Sequence, residues 1–383
     1  MEATLTNNVL TLKLVGEINS LNSEDVAKEI EEDLKDKQFD SLVFDFEGVT
    51  YISSAGLRIV LRYKQRYKNL SIINVSLEVY DVFSMTGFTS MMNISKALTK
   101  IKVYPSQIIG DGYFSTVYRI DKDTIIKVFK RADNISSVEK EMALAKEAFI
   151  LGIPTAITFD IVDVDGKFGV RFEMLDSISL RDAFRDQKDN FDKLCKQYAE
   201  LLKTINTTEV TDEKIPSTKY QWLQKIEAAS SYFTDEENDL LLDLFNKIPD
   251  GKTFVHGDCH VKNILIQNDE LFLIDMETLS RGDKIFELAG IYATYIIFEE
   301  TNKGNNLAFL GLDEDLCKNM FMKTLEYYLG YVDEETLNKI RLVSYCHMIW
   351  WTLTYEKENE KRINHCVKEV KQLLKKCEDL IIR

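Results

Sequence analysis

The sequence predicts an α+β protein in which a small α/β domain, residues 1–100, precedes a two-lobed domain, residues 101–383. In the first hundred residues, stretches that alternate apolar and polar residues are interspersed with stretches of helical spacing, as in a small sheet covered by helices. Residues 101–175 are rich in strand patterns, whereas residues 176–383 are mainly helical around a polar loop. A β-rich lobe followed by a helical lobe is typical of one two-lobed domain.

The elements of the first domain follow from hydrophobic spacing and from helix start and stop signals. Strands are predicted over 8–16, 42–46 and 70–75, and helices from 22, over 55–68 and over 78–86. Strands that alternate with helices in this way over about a hundred residues predict a small α/β sheet domain.

The elements of the second domain are predicted in the same way. Two strands around a glycine turn are expected within 106–130, a helix over 136–151, and strands over 157–164 and 168–175. From about residue 178 the pattern is helical, except for a loop-and-strand region at 252–283. The helical lobe therefore carries its polar loop between strands.

Charge and apolar content exclude several classes of partner. The chain has 383 residues with 45% hydrophobic content, enough to bury a large core, and its formal net charge is −15. An acidic surface repels phosphate backbones and anionic lipids, so neither nucleic acid nor a membrane surface is expected as a partner. The most apolar stretch, 342–353, is too short to span a bilayer and is expected to be a buried helix.

The cysteines indicate a reducing compartment. None of the six forms a Cys-x-x-Cys pair, and none precedes residue 190. Free thiols without a secretory leader are typical of a cytoplasmic protein.

A glycine-containing turn, IGDGYFSTV at 109–117, has a form suited to phosphates. Gly110 and Gly112 would let a strand turn cover a nucleotide closely, with Ser115 and Val117 completing the pattern. Glycines are also common in ordinary turns between strands, and this alternative stays open on the turn alone.

Lys127 lies ten residues beyond Val117 in an apolar strand, TIIKVF. A lysine in such a strand is costly unless it is paired, or unless it faces solvent on an edge strand. In a kinase this lysine grips the α- and β-phosphates and is held by a glutamate of the next helix. Glu141 is the best-placed candidate, and Glu139 remains an alternative.

The strongest motif is HGDCHVKN at 256–263, followed by the strands ILI at 264–266 and LFLIDME at 271–277. Phosphoryl transfer needs a carboxylate that orients an acceptor hydroxyl and oxygen ligands for Mg²⁺. Asp258 suits the first role, and Asn263 and Asp275 suit the second. A hairpin would bring these three side chains to one end of two adjacent strands.

This region has two other interpretations. His256, Cys259 and His260 could form a metal site, but adjacent Cys-His is poor zinc spacing and no second ligand pair lies nearby. An ordinary capped hairpin would leave unexplained the order of glycine loop, lysine, glutamate, catalytic loop and metal aspartate.

The pattern His-Gly-Asp-x-His-x-x-Asn followed by Ile-Asp-x-Glu resembles the aminoglycoside phosphotransferase and choline/ethanolamine kinase superfamily, over residues 104 to about 300. The resemblance implies a protein-kinase-like fold, ATP and Mg²⁺ as cofactors, Asp258 as catalytic base, and Asn263 and Asp275 on magnesium. It also implies a hinge, FEML at 172–175, whose backbone at Glu173 and Leu175 would bind adenine. Glu287 stands where the family usually has an aspartate before Leu-Ala.

The first domain contains the runs FDFEGV (44–49), ISSAGL (52–57) and FSMTGF (83–88). Together they resemble the STAS domain of anti-sigma-factor antagonists, which implies a protein partner and places Ser54 at the position that the family phosphorylates. From the residues alone, Ser53 or Ser54 could simply cap a helix. Many relatives carry aspartate where Ser53 stands.

These motifs predict an ATP-dependent phosphotransferase whose acceptor is a hydroxyl of a small molecule, with a STAS-like regulatory module. A cationic acceptor is expected because the helical lobe carries acidic clusters at 235–237, 313–315 and 333–335 and because the nearest families favour amines. Those clusters could instead cap helices. Alternatives are a serine-kinase-like switch that acts on Ser54 or on a partner, and a non-catalytic nucleotide-sensing scaffold.

Overall fold

The computed structural model describes residues 1–112, 114–131, 135–210 and 215–382. Tyr113 of the glycine turn lies outside these residues. The chain divides into two compact units, Met1–Lys102 and Val103–Arg383. Each unit has a hydrophobic core of its own.

The first unit is built on a five-stranded sheet in the order β1-β2-β3-β4-β5. Its first pair is antiparallel and the other pairs are parallel. The strands are β1 (Glu2–Thr6), β2 (Val9–Ile18), β3 (Ser41–Ile52), β4 (Leu70–Val75) and β5 (Ile94–Lys96). The helices are α1 (Ser23–Leu34), α2 (Ser54–Arg66) and α3 (Leu77–Met85), and a two-residue strand, β6 (Thr99–Lys100), ends the unit.

The core of this unit lies between the sheet and its helices. Alternate residues of β3, including Phe44 and Phe46, are fully buried because one face of the strand packs on helices. Gly56 at the start of α2 lies so close to β2 that a Cβ there would be 2.8 Å from Ile18 Cγ2 and 2.9 Å from Ile18 O. The small residues of the ISSAGL run therefore allow the helix to begin against the sheet.

The second unit begins with an antiparallel sheet in the order β10-β11-β9-β8-β7. Its strands are β7 (Ile108–Asp111), β8 (Ser115–Arg119), β9 (Thr124–Phe129), β10 (Thr158–Val164) and β11 (Lys167–Glu173). The prediction of two strands within 106–130 is wrong, because a second turn at residues 120–123 separates β8 from β9. Helix α4 (Ile135–Ile150) follows β9 in the chain.

The rest of the unit is a helical lobe with two small sheets. Its strands are β12 (Ile178–Ser179), β13 (Thr253–Val255), β14 (Ile264–Gln267), β15 (Glu270–Leu273) and β16 (Ser280–Gly282). Its helices are α5 (Leu180–Asp186), α6 (Phe191–Thr207), α7 (Thr218–Ala228), α8 (Asp235–Lys247), α9 (Lys284–Tyr292), α10 (Phe298–Thr301), α11 (Asn305–Leu310), α12 (Glu314–Leu329), α13 (Glu334–Tyr355) and α14 (Glu360–Leu373). A π-helical turn, Ala293–Ile297, joins α9 to α10. Within the described residues, no helix has both the length and the apolar character needed to cross a bilayer.

Candidate active site

Lys127 lies at the centre of β9, a strand paired on both sides with β8 and β11. The interpretation of Lys127 as a solvent-facing lysine of an edge strand is therefore wrong. The residue is 8% exposed, and its Nζ lies 2.6 Å from Glu141 Oε1 and 3.0 Å from Asp275 Oδ1. Glu139 is exposed on α4, so of the two glutamates it is Glu141 that faces the lysine.

This ammonium stays charged despite its burial. Burial by itself would lower the pKa of Lys127, but the charges of Asp275 and Glu141 and the hydrogen bonds to them outweigh it and raise the pKa. A permanently cationic group therefore joins the sheet of the first lobe, α4, and the turn after β15.

Asp258 lies in the loop between β13 and β14, where Asn263 holds it. The Asn263 amide Nδ2 donates to both the backbone O and the Oδ2 of Asp258, at 3.0 Å each. His260 Nε2 lies 3.6 Å from Asp258 Oδ1. Surrounding protein removes enough water from the carboxyl to raise the pKa of Asp258 to about 6, although 45% of its side chain remains accessible.

Asp275 begins the turn after β15 with φ of 68°, in the left-handed region. The Ile274 N–H donates to Asn263 O at 2.9 Å, which ties this turn to the loop of Asp258. Burial would raise the pKa of Asp275, but the Lys127 charge and hydrogen bond outweigh it and lower the pKa. The two aspartates therefore differ in acidity. The lowered pKa of Asp275 keeps its carboxylate ionised, whereas the raised pKa of Asp258 makes it a weaker acid.

The donor set of Asn263 and Asp275 fits a magnesium ion. Both hydrogen bonds of the Asn263 side chain use Nδ2, so its Oδ1 is not the atom that holds Asp258. Asp275 supplies an ionised carboxylate that is 39% exposed. An amide oxygen and a carboxylate are ligands that Mg²⁺ accepts.

Glu287, on α9, holds the loop of Asp258 by hydrogen bonds to its backbone. It is fully buried, and its carboxylate accepts the backbone N–H of His256 at 2.5 Å and of Gly257 at 3.2 Å. Thr278 Oγ1 donates to His256 O at 2.6 Å. The glutamate therefore anchors the backbone of the motif by its N–H groups.

Two buried tyrosines hold the residues that follow Asp258. The Tyr198 hydroxyl donates to Cys259 O, and the Val261 N–H donates to the Tyr295 hydroxyl.

Those contacts also account for a cluster that resembles a metal site. Ligand atoms of His256, Cys259 and Glu287 lie within 4.8 Å of one another, and all three residues are buried. The carboxylate already accepts two backbone N–H groups, and the Asp258 N–H donates to His256 Nδ1 at 3.3 Å. Burial raises the pKa of Cys259 well above its usual value, which disfavours the thiolate that zinc binds.

The glycine turn connects β7 to β8. The Gly112 N–H donates to Ser115 O at 2.9 Å, and Gly110 pairs with Val117 across the two strands. Neither glycine has a positive φ, and a Cβ on Gly110 would lie 3.7 Å from Val117 Cβ, an ordinary contact. The fold itself therefore does not demand glycine at these two positions.

The predicted hinge, residues 172–175, includes the last two residues of β11 and the two residues after it. The Glu173 N–H donates to Ile157 O and the Met174 N–H donates to Asp123 O, both at 2.8 Å. The Glu173 carboxylate accepts the Ile157 N–H at 3.3 Å, so its side chain is used within the sheet. Leu175 is 6% exposed.

Lys262 lies inside the HGDCHVKN motif, but the sequence predicts no role for it. Its Nζ donates to Phe309 O at 3.3 Å, a contact with α11 that no local pattern indicated. Its position between Asp258 and Asn263 was the one signal in the sequence.

The comparisons with known proteins decide the family. A sequence model described as the phosphotransferase enzyme family matches residues 106–309, more than half of the chain. The chain belongs to the phosphotransferase enzyme family. The STAS domain model matches residues 1–101. The two resemblances and the predicted fold class, a kinase-like fold preceded by a STAS-like α/β domain, are thereby confirmed.

The chain is also similar to individual known proteins. BtrV of Bordetella bronchiseptica, named as an anti-sigma factor antagonist, is 32% identical over 95 residues, which is 24% of this chain and 81% of BtrV. A choline/ethanolamine kinase family protein from Mesorhizobium loti superposes with a TM-score of 0.46 at 12% identity, over 71% of this chain and 91% of that one. The structure of the ternary complex of streptomycin, ATP and APH(2")-IIa superposes with a TM-score of 0.44 at 18% identity, over 72% of this chain and 93% of that one.

Proposed function

We propose that this protein transfers the γ-phosphate of ATP to a hydroxyl group of a small acceptor, with the STAS domain as a regulatory module that binds a protein partner. The observation that carries the proposal is the position of Lys127, whose ammonium lies between Glu141 and Asp275 within 3.0 Å of each. This places a fixed cation beside the aspartate best suited to a metal ion, as phosphoryl transfer requires.

The nucleotide would be held by groups of both lobes. Lys127 would donate to its phosphates, and the turn that contains Gly110 and Gly112 would cover them. The absence of side chains at these glycines leaves room for phosphate oxygens that the fold itself does not occupy. Ser115 and Val117 continue this turn into β8, and the backbone at Glu173 and Leu175 would bind adenine.

Asp258 would act as the catalytic base. Its pKa of about 6 leaves the carboxylate largely ionised at neutral pH and basic enough to accept the proton of an acceptor hydroxyl. Asn263 fixes the orientation of that carboxylate through Nδ2. Asn263 and Asp275 would hold Mg²⁺, which neutralises phosphate charge when it is bound.

The charge of the acceptor is a separate question. The three acidic clusters behind the expectation of a cationic acceptor lie at helix starts. Thr234 and Glu237 form a capping box at α8, while Asp313 caps α12 and Asp333 caps α13. One carboxylate of each cluster, that of Glu237, Asp313 or Asp333, is thus used to cap a helix, which supports the capping interpretation of the clusters.

The direct test is ADP release by the full chain with Mg²⁺, ATP and a panel of hydroxylated acceptors. We expect turnover with at least one acceptor and its loss in Asp258→Asn. ATP binding without any transfer across the panel would instead favour a nucleotide-sensing scaffold.

A second candidate acceptor is a serine of the protein itself or of a partner. Ser54 is exposed at the first residue of α2, and the Ser53 side chain caps that helix by accepting the Gly56 N–H at 3.4 Å. A phosphate at this helix N-terminus would meet free N–H groups and a favourable dipole.

Placement in the cytoplasm fits the six buried, free cysteines.

A further inference from the structure

The ammonium of Lys262 belongs to the loop of the candidate active site. It lies four residues after Asp258 and directly before Asn263. Its Nζ donates to Phe309 O at 3.3 Å and lies 4.5 Å from the centroid of the Phe309 ring. Among the described residues, no carboxylate oxygen lies within 4.0 Å of it. A carbonyl and a ring therefore hold this ammonium, and among the described residues it has no ion-pair contact with a carboxylate.

A second cation lies on the helix next to this loop. Arg181, the second residue of α5, donates its backbone N–H to Val261 O at 3.1 Å, which joins α5 to the same loop. The Arg181 guanidinium is paired, since its Nη2 lies 3.0 Å from Asp182 Oδ1. Among the described residues of this loop and of α5, Lys262 is a half-buried cation that lacks such a pair, and an anion that pairs with a half-buried charge stabilises it.

Lys262 contacts a helix of the helical lobe. Asp275 meets Lys127 of the β-rich lobe, whereas Lys262 meets Phe309 of α11 in the helical lobe. The Phe309 ring is adjacent to His260, with centroids 5.4 Å apart, and the residue is 43% exposed. A cation and an accessible ring thus lie next to His260, whose Nε2 is 3.6 Å from Asp258 Oδ1, and they belong to a different lobe from Lys127.

We propose that the acceptor carries an anionic group, a phosphate or a carboxylate, close to its reacting hydroxyl, and that Lys262 binds this group. The inference rests on the proposed phosphotransferase function and specifies its substrate class. An anion would complete the charge balance of Lys262, and the Phe309 ring would pack against the carbon skeleton of the acceptor. A cationic amine in the same place would be repelled by Lys262.

The test compares alcohols of different charge with the full chain, Mg²⁺ and ATP, measured as ADP release. Glycerol 3-phosphate and glycerate supply the two kinds of anion, glycerol is the neutral probe, and choline is the cationic probe. We expect kcat/KM for at least one anionic alcohol to exceed that for glycerol and choline by about tenfold or more. Which anion is preferred distinguishes a phosphate site from a carboxylate site.

Variants of Lys262 test the assignment of the residue. Lys262→Ala should raise KM for the anionic alcohol about tenfold more than it raises KM for glycerol. Lys262→Glu should shift the preference towards choline. Lys318→Glu is the matched control, because it makes the same charge change at an exposed position of α12.

Several outcomes would overturn the inference while the phosphotransferase assignment stands. One is choline as the best acceptor with no effect of Lys262→Glu, and another is an equal loss for glycerol and glycerol 3-phosphate in Lys262→Ala. If no alcohol supports ADP release, the proposed function fails. Protection of Lys262 from acetylation, which needs no turnover, then tests the inference. Glycerol 3-phosphate, but not choline, should then slow acetylation of Lys262 several-fold, read by peptide mass spectrometry, and equal rates would overturn the inference.

Discussion

The ammonium of Lys127 lies 3.0 Å from Oδ1 of Asp275, a residue 148 positions further along the chain. This contact joins the central strand of the β-rich lobe to the turn after β15 in the helical lobe. Glu141 holds the same ammonium from α4 at 2.6 Å. One buried cation between two carboxylates is therefore shared by both lobes, and its removal should affect both stability and chemistry.

Lys127→Met should reduce ADP release by at least about 100-fold, because the nucleotide phosphates would lose their fixed cation. The variant should also lose about 3 kcal/mol of unfolding free energy, since Glu141 would remain buried without its partner. Urea denaturation measures the second effect. Lys122→Met, at an exposed position in the turn before β9, is the control. Unchanged turnover in Lys127→Met would remove Lys127 from the site.

Activity should depend on pH through Asp258. Its pKa is raised to about 6, so the carboxylate that accepts a proton is lost as pH falls below that value. The rate of ADP release should rise about tenfold per pH unit below about pH 6 and level off above it. A rate already maximal at pH 5 would contradict the assignment of Asp258 as base.

Asp258→Asn should abolish turnover without unfolding the protein. A raised pKa in the folded state means that ionisation of this carboxyl opposes folding as pH rises through about 6. The neutral amide removes that penalty, so thermal unfolding at neutral pH should occur at the same or a higher temperature. A variant that keeps full activity would show that another group takes the proton.

Glu287→Ala should loosen the loop of Asp258. It would leave the buried N–H groups of His256 and Gly257 without their acceptor, at a cost of about 2–4 kcal/mol. Hydrogen exchange of peptides that cover 256–263 should accelerate, and turnover should fall with it. Glu200→Ala, at an exposed position of α6, should change neither. Unchanged exchange would show that the loop keeps its conformation without Glu287.

Gly56→Ala should destabilise the first unit by about 1–3 kcal/mol, because the new methyl group would lie 2.8 Å from Ile18 Cγ2 and 2.9 Å from Ile18 O. Faster hydrogen exchange of α2 in the full chain is the expected result. Ser54→Ala, two residues earlier and exposed, is the control and should leave exchange unchanged. Equal exchange in the two variants would mean that α2 can move away from β2 at little cost.

Incubation with Mg²⁺ and ATP tests Ser54 as an acceptor. If the protein phosphorylates itself, intact-mass measurement should show the gain of one phosphate in the wild type and none in Ser54→Ala or Asp258→Asn. A gain that persists in Ser54→Ala would place the phosphate elsewhere.

Local patterns were sufficient where a function needs consecutive residues. The HGDCHVKN motif, the glycine turn and the lysine strand are short runs, and they led to the family and fold class. The β8–β9 boundary was missed because residues 120–123 turn without glycine or proline. The first and fifth strands of the STAS sheet, Glu2–Thr6 and Ile94–Lys96, were missed because few of their residues are buried and their alternation is weak.

The sequence by itself determined the order of chemical groups, from the glycine turn through Lys127 to Asp258, Asn263 and Asp275. Each of these groups is recognised from the short run of residues around it in the chain. Only the tertiary structure decided that Glu141 rather than Glu139 reaches Lys127, that Glu287 accepts the N–H groups of the loop, and that Lys262 meets Phe309. The physical reason is that these contacts depend on the rotation of a helix or the approach of a distant one, which packing of the whole core sets.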